Sequence, residues 1–121
     1  MIILELPWPP SVNHYYRRVG SRTLISRSGR AYRRTVVAQL RSCFPAPLSG
    51  RLAVAIDAHP PDRRRRDLDN AQKALLDALQ HAGVYTDDSQ IDDLAIHRRD
   101  PVPGGRVRIT ITALPQGRHH D

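Results

Sequence analysis

The segment RLAVAIDAHPPDRRRRDLDNAQKALLDALQHAG, residues 51–83, contains a strand pattern followed by a helix pattern. In residues 52–57 apolar side chains alternate with smaller or charged ones, which is typical of a β-strand. From about Leu68 to Ala82 the apolar residues recur at helical spacing, and Gly83 suits the C′ position that ends a helix. The segment therefore predicts a strand, a charged loop and a helix in succession.

The N-terminal part is predicted to hold one strand, one long loop and one helix. Residues 2–6 read as a short strand and residues 7–28 as a loop. The helix is predicted to begin after Ser28-Gly29 and to stop at the prolines at 45 and 47. The apolar residues that indicate this helix are Tyr32, Val36, Leu40 and Cys43, and the lone cysteine is expected in the core.

The C-terminal part is predicted to form two strands, residues 91–99 and 106–114, joined by a turn containing Pro103-Gly104-Gly105. In the second strand Val107, Ile109 and Ile111 are expected to point inward. The element order β-α-β-α-β-β predicts an α+β fold, with a small mixed sheet of about four strands and two helices packed on one face. A single domain over residues 1–121 fits this length.

The net charge of +7 is unevenly distributed along the chain. Residues 6–56 contain nine arginines and no acidic residue, whereas residues 57–121 contain nine arginines and one lysine against eleven aspartates. A cationic half of this kind predicts a polyanionic partner, nucleic acid in particular. The alternative is that the positive charge reflects composition alone and serves no ligand, since arginine supplies nearly every basic residue of the chain.

No apolar run approaches the roughly 20 residues that a membrane-spanning helix needs. The N-terminal sequence also lacks the basic region of a secretory signal. We therefore expect a cytoplasmic protein with no membrane partner.

The loop and helix start in PDRRRRDLDNAQK, residues 61–73, place four arginines before two aspartates. Two helical aspartates at this spacing would point roughly 200° apart. If Asp67 lies at or before the N-cap, its side chain is free of that periodicity and can converge with Asp69 on one cation. Lys73 follows Asp69 by one turn, with Asn70 and Asp77 nearby.

Structural roles for these residues remain open. Asp67 is suited to capping the helix, and Asp69 to complementing the helix dipole or pairing with Lys73 at i,i+4. Such roles leave the four adjacent arginines unexplained, because like charges repel. Lys73 is also the only lysine of the chain, and its compact ammonium suits a single phosphate oxygen or a water better than a guanidinium does.

A second acidic cluster, TDDSQIDD, occupies residues 86–93. A solvated turn is one interpretation of Asp87 and Asp88. A hard cation is another, because it would remove the repulsion between these carboxylates and phosphate. With no histidine pair or cysteine set at zinc-ligand spacing, the composition favours Mg²⁺, with Mn²⁺ as a substitute.

The segment PPDRRRRDLDNAQKALLDALQHAGVYTDDSQIDD, together with LPWPPSVNHYYRR near the start, resembles the RusA family of crossover-junction endodeoxyribonucleases. The resemblance spans nearly the whole chain in length and order. It implies that Asp67, Asp69 and Asp88 are metal-binding and catalytic, and that Lys73 is catalytic or stabilises the transition state. It further implies a homodimer that uses Mg²⁺ to introduce paired nicks in four-way DNA junctions, without a small-molecule cofactor. Asp87 matches the companion of the catalytic aspartate, and its contact with metal is left open.

The DNA-binding surface is predicted from the arginines. The tract Arg63, Arg64, Arg65 and Arg66 would clamp phosphates, and the platform would extend through Arg17, Arg18, Arg30, Arg33, Arg34 and Arg41. Tyr15 and Tyr16 are candidates for stacking on unpaired bases, as is Trp8, although burial is expected for Trp8.

For the dimer, the strand at residues 52–57 is a candidate interface because Ala53 and Ala55 leave its second face uncharged. The alternative to an enzyme is a non-catalytic, architectural nucleic-acid-binding protein.

Overall fold

The alternating segment forms strand β4 (Leu52–His59), an inner strand of a four-stranded sheet. β4 pairs antiparallel with β6 (Arg106–Ala113) and parallel with β5 (Ile91–Arg98). β1 (Ile2–Pro7) pairs antiparallel with β6 at the edge, so the strand order is β1-β6-β4-β5. These elements come from a computed structural model that describes residues 1–115. The predicted mixed sheet in an α+β fold is confirmed, although the two last strands are not neighbours, because β4 lies between them.

Two long helices, α2 (Arg27–Leu40) and α3 (Leu68–His81), cover one face of the sheet. α3 buries Leu75 and Leu79 in the core, and Gly83 beyond its end adopts φ 81°, as expected of a C′ glycine. The inward residues predicted for the last strand, Val107, Ile109 and Ile111, are buried. Because α3 connects the parallel strands β4 and β5, it crosses the sheet and places its own start near the end of β4.

The segment predicted as a long loop contains regular structure. It holds the short helix α1 (Val12–Tyr15) and a hairpin of β2 (Tyr16–Val19) with β3 (Arg22–Ile25). The prediction was wrong because the hairpin is short, exposed and rich in arginine, so that it lacks a strong apolar alternation.

Helix α2 begins and ends earlier than predicted. Its N-cap is Ser26, whose hydroxyl accepts a hydrogen bond from the N–H of Gly29 at 3.0 Å. Gly29 is buried against the carbonyl of Tyr15, where a side chain would collide, so α1 packs closely on α2. α2 ends at Leu40, before the prolines. Cys43 lies beyond that end and is exposed, so its expected place in the core is wrong.

The face of the sheet that points away from the helices stays open in the single chain. Ala55 lies near its middle, in register with Thr110 on β6 and Ala95 on β5. Ala55 and Ala95 are exposed, and Ile3 on β1 has half of its surface exposed. No helix within residues 1–115 has the length and apolarity required to cross a membrane.

Candidate active site

The candidate site begins at the N-terminus of α3. Asp67 occupies the N-cap position with extended backbone angles (φ −87°, ψ 134°), as predicted, but its side chain does not cap the helix. Asp69 follows in the first turn and is exposed. Within residues 1–115 neither carboxylate has a hydrogen bond or an ion pair. Capping is therefore not the role of Asp67, and both carboxylates are available to a ligand.

Lys73 lies one turn further along α3, but it forms no ion pair with Asp69 in the described chain. Its ammonium instead lies 5.6 Å from the centre of the Tyr16 ring, within the range of a cation–π interaction. The surface-pair interpretation of Asp69 and Lys73 is therefore wrong. Tyr16 stands at the start of the β2–β3 hairpin, so the hairpin and α3 meet at the lysine.

Tyr16 is supported by Tyr15, whose ring meets it edge-on with 4.9 Å between the ring centres. Burial raises the pKa of Tyr16, and the negative charges of Asp77 and Asp88 raise it further. The phenol therefore stays neutral at physiological pH.

Asp88 is the first residue of a 3₁₀ turn, Asp88–Gln90. Its backbone N–H donates to the side-chain oxygen of Gln80 at 3.0 Å, which ties the turn to the last turn of α3. At the α-helical rise, the Cα atoms of Asp69 and Gln80 are roughly 16 Å apart along α3. Across residues 1–115, no three side chains of His, Cys, Asp or Glu lie close enough together to hold one metal ion. The grouping of Asp67, Asp69 and Asp88 around a metal stays a prediction.

Asp77 is occupied by protein groups. It accepts hydrogen bonds from the guanidinium of Arg33, at 3.0 Å from Nε and 2.7 Å from Nη2, and from the hydroxyl of Tyr15. Burial and the hydrogen bond to Asp77 raise the pKa of Tyr15 far above its ordinary value. This cluster joins α1, α2 and α3 beneath Tyr16. Arg33 is therefore a structural residue and does not extend the cationic platform.

The arginine tract is organised by Asp62. Its carboxylate accepts hydrogen bonds from Arg66 at 2.7 Å, from the backbone N–H of Arg64 at 2.9 Å and from the Arg64 side chain at 3.2 Å. These hydrogen bonds lower the pKa of Asp62 well below its ordinary range, and the bond from Arg66 contributes most. Two of the four arginines thus share one carboxylate, which compensates one of the four adjacent charges. Arg63 and Arg65 are exposed and have no such partner within residues 1–115.

The remaining predicted DNA-binding arginines lie on the hairpin, on α2 and, for Arg41, at the C-cap that ends α2. Arg17 and Arg18 are on β2, and Arg30 and Arg34 are on α2; all four are exposed. Arg30 donates to the carbonyl of Ile25 at 2.9 Å, which holds α2 against β3. Tyr15 is fully buried and cannot stack on a base, whereas Trp8 is only partly buried.

Two further acidic residues have structural roles. The carboxylate of Asp87 accepts a hydrogen bond from the N–H of Ser89 at 2.8 Å, and the hydrogen bonds from Ser89 lower the pKa of Asp87. Asp87 also forms a capping box with Gln90. Asp92 forms an ion pair with Arg51, with 2.9 Å from Nε to the carboxylate. Capping and pairing therefore account for the positions of these two residues.

The chain matches the family model described as Endodeoxyribonuclease RusA over residues 7–112. This match covers the hairpin, both long helices and three of the four strands of the main sheet, whereas β1 lies almost wholly before it. The chain belongs to the RusA family of endodeoxyribonucleases. Among curated relatives, it is 46% identical to the crossover junction endodeoxyribonuclease of Enterobacteria phage 82 over 112 residues, covering 92% of this chain and 93% of the relative. The chain is 44% identical to the crossover junction endodeoxyribonuclease of Escherichia coli (strain K12) over 112 residues, again covering 92% of this chain and 93% of the relative. The chain is 48% identical to the crossover junction endodeoxyribonuclease of Enterobacteria phage HK97 over 110 residues, which cover 90% of this chain and 92% of the relative.

Two contributions to the site escape sequence reasoning. Tyr16 was considered only as a surface for bases, because nothing local relates it to Lys73, 57 positions later. Asp62 lies beside the tract in sequence, and its spacing of two and four from Arg64 and Arg66 was the available signal. An aspartate at the start of an arginine run in a loop commonly forms such local side-chain to backbone bonds.

Proposed function

We propose that this RusA-family protein is a metal-dependent endodeoxyribonuclease that resolves four-way DNA junctions by paired symmetric nicks and acts as a cytoplasmic homodimer. The observation that carries the proposal concerns Asp67 and Asp69 at the start of α3, whose carboxylates have no partner within residues 1–115, and the nearby Lys73, which forms no ion pair there. Exposed carboxylates that have no protein partner remain open to a divalent cation. The names of the curated relatives, crossover junction endodeoxyribonucleases, supply the substrate.

The donor chemistry fits Mg²⁺ or Mn²⁺. Both ions take carboxylate oxygens, and Mg²⁺ keeps most of its water, so it needs few direct protein ligands. Asp67 and Asp69 would hold the ion, with Asp88 contributing from the 3₁₀ turn that follows α3. The chemistry that the bound ion supplies is Lewis-acid polarisation of the phosphate and acidification of water.

The remaining work falls to the basic residues. Lys73, positioned over Tyr16, donates to a non-bridging oxygen of the scissile phosphate or holds the attacking water. Arg63 and Arg65, which have no partner in the described chain, bind the flanking phosphates and fix the strand without reading its sequence. Arg17 and Arg18 on the hairpin bind an adjoining junction arm.

The homodimer would form through the open face of the sheet. A four-way junction has approximate two-fold symmetry, and a two-fold dimer presents one site to each of two opposed strands. Ala55 and Ala95 give the middle of that face a flat, uncharged surface, and the exposed Ile3 extends it toward β1. Sheets of two copies can pack face to face through such a surface.

Cleavage of a synthetic four-way junction with one labelled strand tests the proposal. Wild-type protein should nick the junction in Mg²⁺ and not in EDTA, and should leave a linear duplex of the same sequence intact. Asp69→Asn should abolish nicking and leave junction binding equal or stronger. Asp100→Asn, at an exposed carboxylate after β5, is the matched control and should cleave normally.

Each failure has its own meaning. Full activity of Asp69→Asn removes the metal-site assignment. Binding of the junction without any nicking in Mg²⁺ indicates the non-catalytic binding protein, and equal cleavage of duplex indicates a different nuclease. Paired nicking is measured on a supercoiled plasmid with an extruded cruciform. Linear product from one binding event supports two coordinated sites, and nicked circles alone contradict them.

A further inference from the structure

A cavity of about 640 Å³ opens directly beside Asp67. It lies between the proline-rich segment that follows β1 and the start of α3. Its volume falls within the range of about 300–1,000 Å³ that is typical of small-molecule sites in proteins. No step of the proposed cleavage uses it, although one of its walls is a proposed metal-binding carboxylate.

The apolar wall of this cavity is an aromatic surface held in place. Trp8 packs partly against the core and lines the cavity together with Pro9 and Ala71. Behind it, the backbone at Gly105 comes so close that an added Cβ would lie 2.8 Å from the Cβ of Trp8. The first side-chain atom of Trp8 therefore lies directly against the β5–β6 loop, which fixes where the tryptophan side chain begins.

The polar wall carries groups that have hydrogen-bonding capacity to spare. Neither the Asn70 amide nor the Arg65 guanidinium has a side-chain partner within residues 1–115. His14 is held by Ser11, with 2.8 Å from the hydroxyl oxygen to Nδ1, which leaves Nε2 as the free ring nitrogen. Donors and acceptors thus face a flat apolar surface across one cavity.

We propose that this cavity binds a nucleobase taken out of the stack, from a nucleotide next to the scissile phosphate. A base offers a flat face for Trp8 and a polar edge for Asn70 and His14, while Arg65 meets the adjoining phosphate. The proposal rests on the proposed function for the position of the cleaved bond beside Asp67. The apolar face of Trp8 favours a base over a bare phosphate as the occupant, because phosphate has no flat apolar surface to stack on it.

The single tryptophan of the chain makes occupancy directly measurable. In EDTA, where no cleavage is expected, titration with a four-way junction should quench the Trp8 fluorescence as a base stacks on the indole. Junctions with one abasic nucleotide, moved along the strand near the crossover, locate that base. At one position the abasic junction should bind but fail to quench.

Variants test the polar wall with an independent readout. Asn70→Ala and His14→Ala should each weaken junction binding roughly two- to tenfold, the loss of about one hydrogen bond, as measured by anisotropy of a labelled junction. Asn13→Ala is the matched control, because Asn13 is exposed beside His14 and does not line the cavity. Its binding should equal that of the wild type.

Absence of quenching by any junction, or quenching that persists at every abasic position, overturns the proposal. So does equal binding by Asn70→Ala, His14→Ala and Asn13→Ala. Nicking without quenching removes the base site and leaves the nuclease intact. The reverse outcome is also possible: the protein never nicks, but one abasic position abolishes the quenching. That result supports the base site and contradicts the nuclease activity.

Discussion

The ammonium of Lys73 lies 5.6 Å from the centre of the Tyr16 ring and is not paired with Asp69, its neighbour one helical turn away. The aromatic ring thereby holds the lysine without neutralising it. A carboxylate partner would compete with phosphate for the ammonium, whereas a neutral ring leaves the full charge available to a substrate.

Tyr16 should therefore position Lys73 for cleavage. Tyr16→Leu removes the ring and should lower kcat roughly two- to fivefold with little change in KM, since an exposed cation–π interaction contributes about 0.5–1 kcal/mol. Tyr16→Phe keeps the ring and should restore the rate. Steady-state cleavage of a four-way junction measures both constants. Equal rates for the Leu and Phe variants would contradict this role.

Lys73→Arg should impair cleavage although it preserves the charge. The planar guanidinium cannot replace a compact ammonium that serves one oxygen atom, so we expect a loss of about a hundredfold, as for other positioned donors to a transition state. Single-turnover rates with saturating enzyme isolate the cleavage step. Arg27→Lys, the reverse exchange at an exposed arginine of α2 outside the predicted DNA-binding set, is the control. Full activity of Lys73→Arg would reduce the lysine to a general phosphate contact.

The salt dependence of junction binding should reflect the arginines that remain unpaired. Of the ten arginines predicted to bind DNA, six have no hydrogen-bonding partner for their side chains in the described chain: Arg17, Arg18, Arg34, Arg41, Arg63 and Arg65. If about five of them meet phosphates, log affinity should fall against log salt with a slope near −4 to −5 per subunit. Arg65→Ala should reduce the slope by about 1, and Arg51→Ala, whose arginine pairs with Asp92, should not change it. A flat response would exclude the cationic platform.

The Asp62 interactions predict how stability depends on pH. The pKa of Asp62 is lowered in the folded chain, chiefly by Arg66, so its contribution is complete above the unfolded carboxyl pKa of about 4. That contribution is lost as pH falls toward the lower folded pKa. Asp62→Asn should thus be less stable than wild type at pH 7, and the difference should shrink below about pH 4. Urea unfolding midpoints from pH 7 to pH 3 measure it, with Asp100→Asn as control; a pH-independent difference would refute it.

The open face of the sheet should carry the dimer contact. Ala55→Glu places a charge at its middle, opposite its own copy across a two-fold axis, and should give monomers. Sedimentation equilibrium measures the mass. Ala38→Glu makes the same exchange at an exposed alanine of α2 and should leave the mass unchanged. A dimeric Ala55→Glu protein would place the interface elsewhere.

Local periodicity was sufficient for much of this fold. The alternation in β6 and the helical spacing in α3 each gave the element and its buried face, because burial of one face imposes a period within a few residues. The site was partly accessible in the same way: Asp67 at the N-cap and Asp69 in the first turn follow from position along one helix. The hairpin at residues 16–25 was missed because its exposed arginines obscure any alternation.

The amino-acid sequence by itself determined the four strands of the main sheet, the two long helices, the family and the charged helix start where the site lies. Only the tertiary structure decided that β4 separates β5 from β6, that Arg33 binds Asp77 across 44 positions, and that Tyr16 rather than Asp69 holds Lys73. The physical reason is that a residue's own neighbours fix its local conformation, whereas its partner depends on how the whole core packs. Several oppositely charged groups could satisfy one arginine, and packing selects among them.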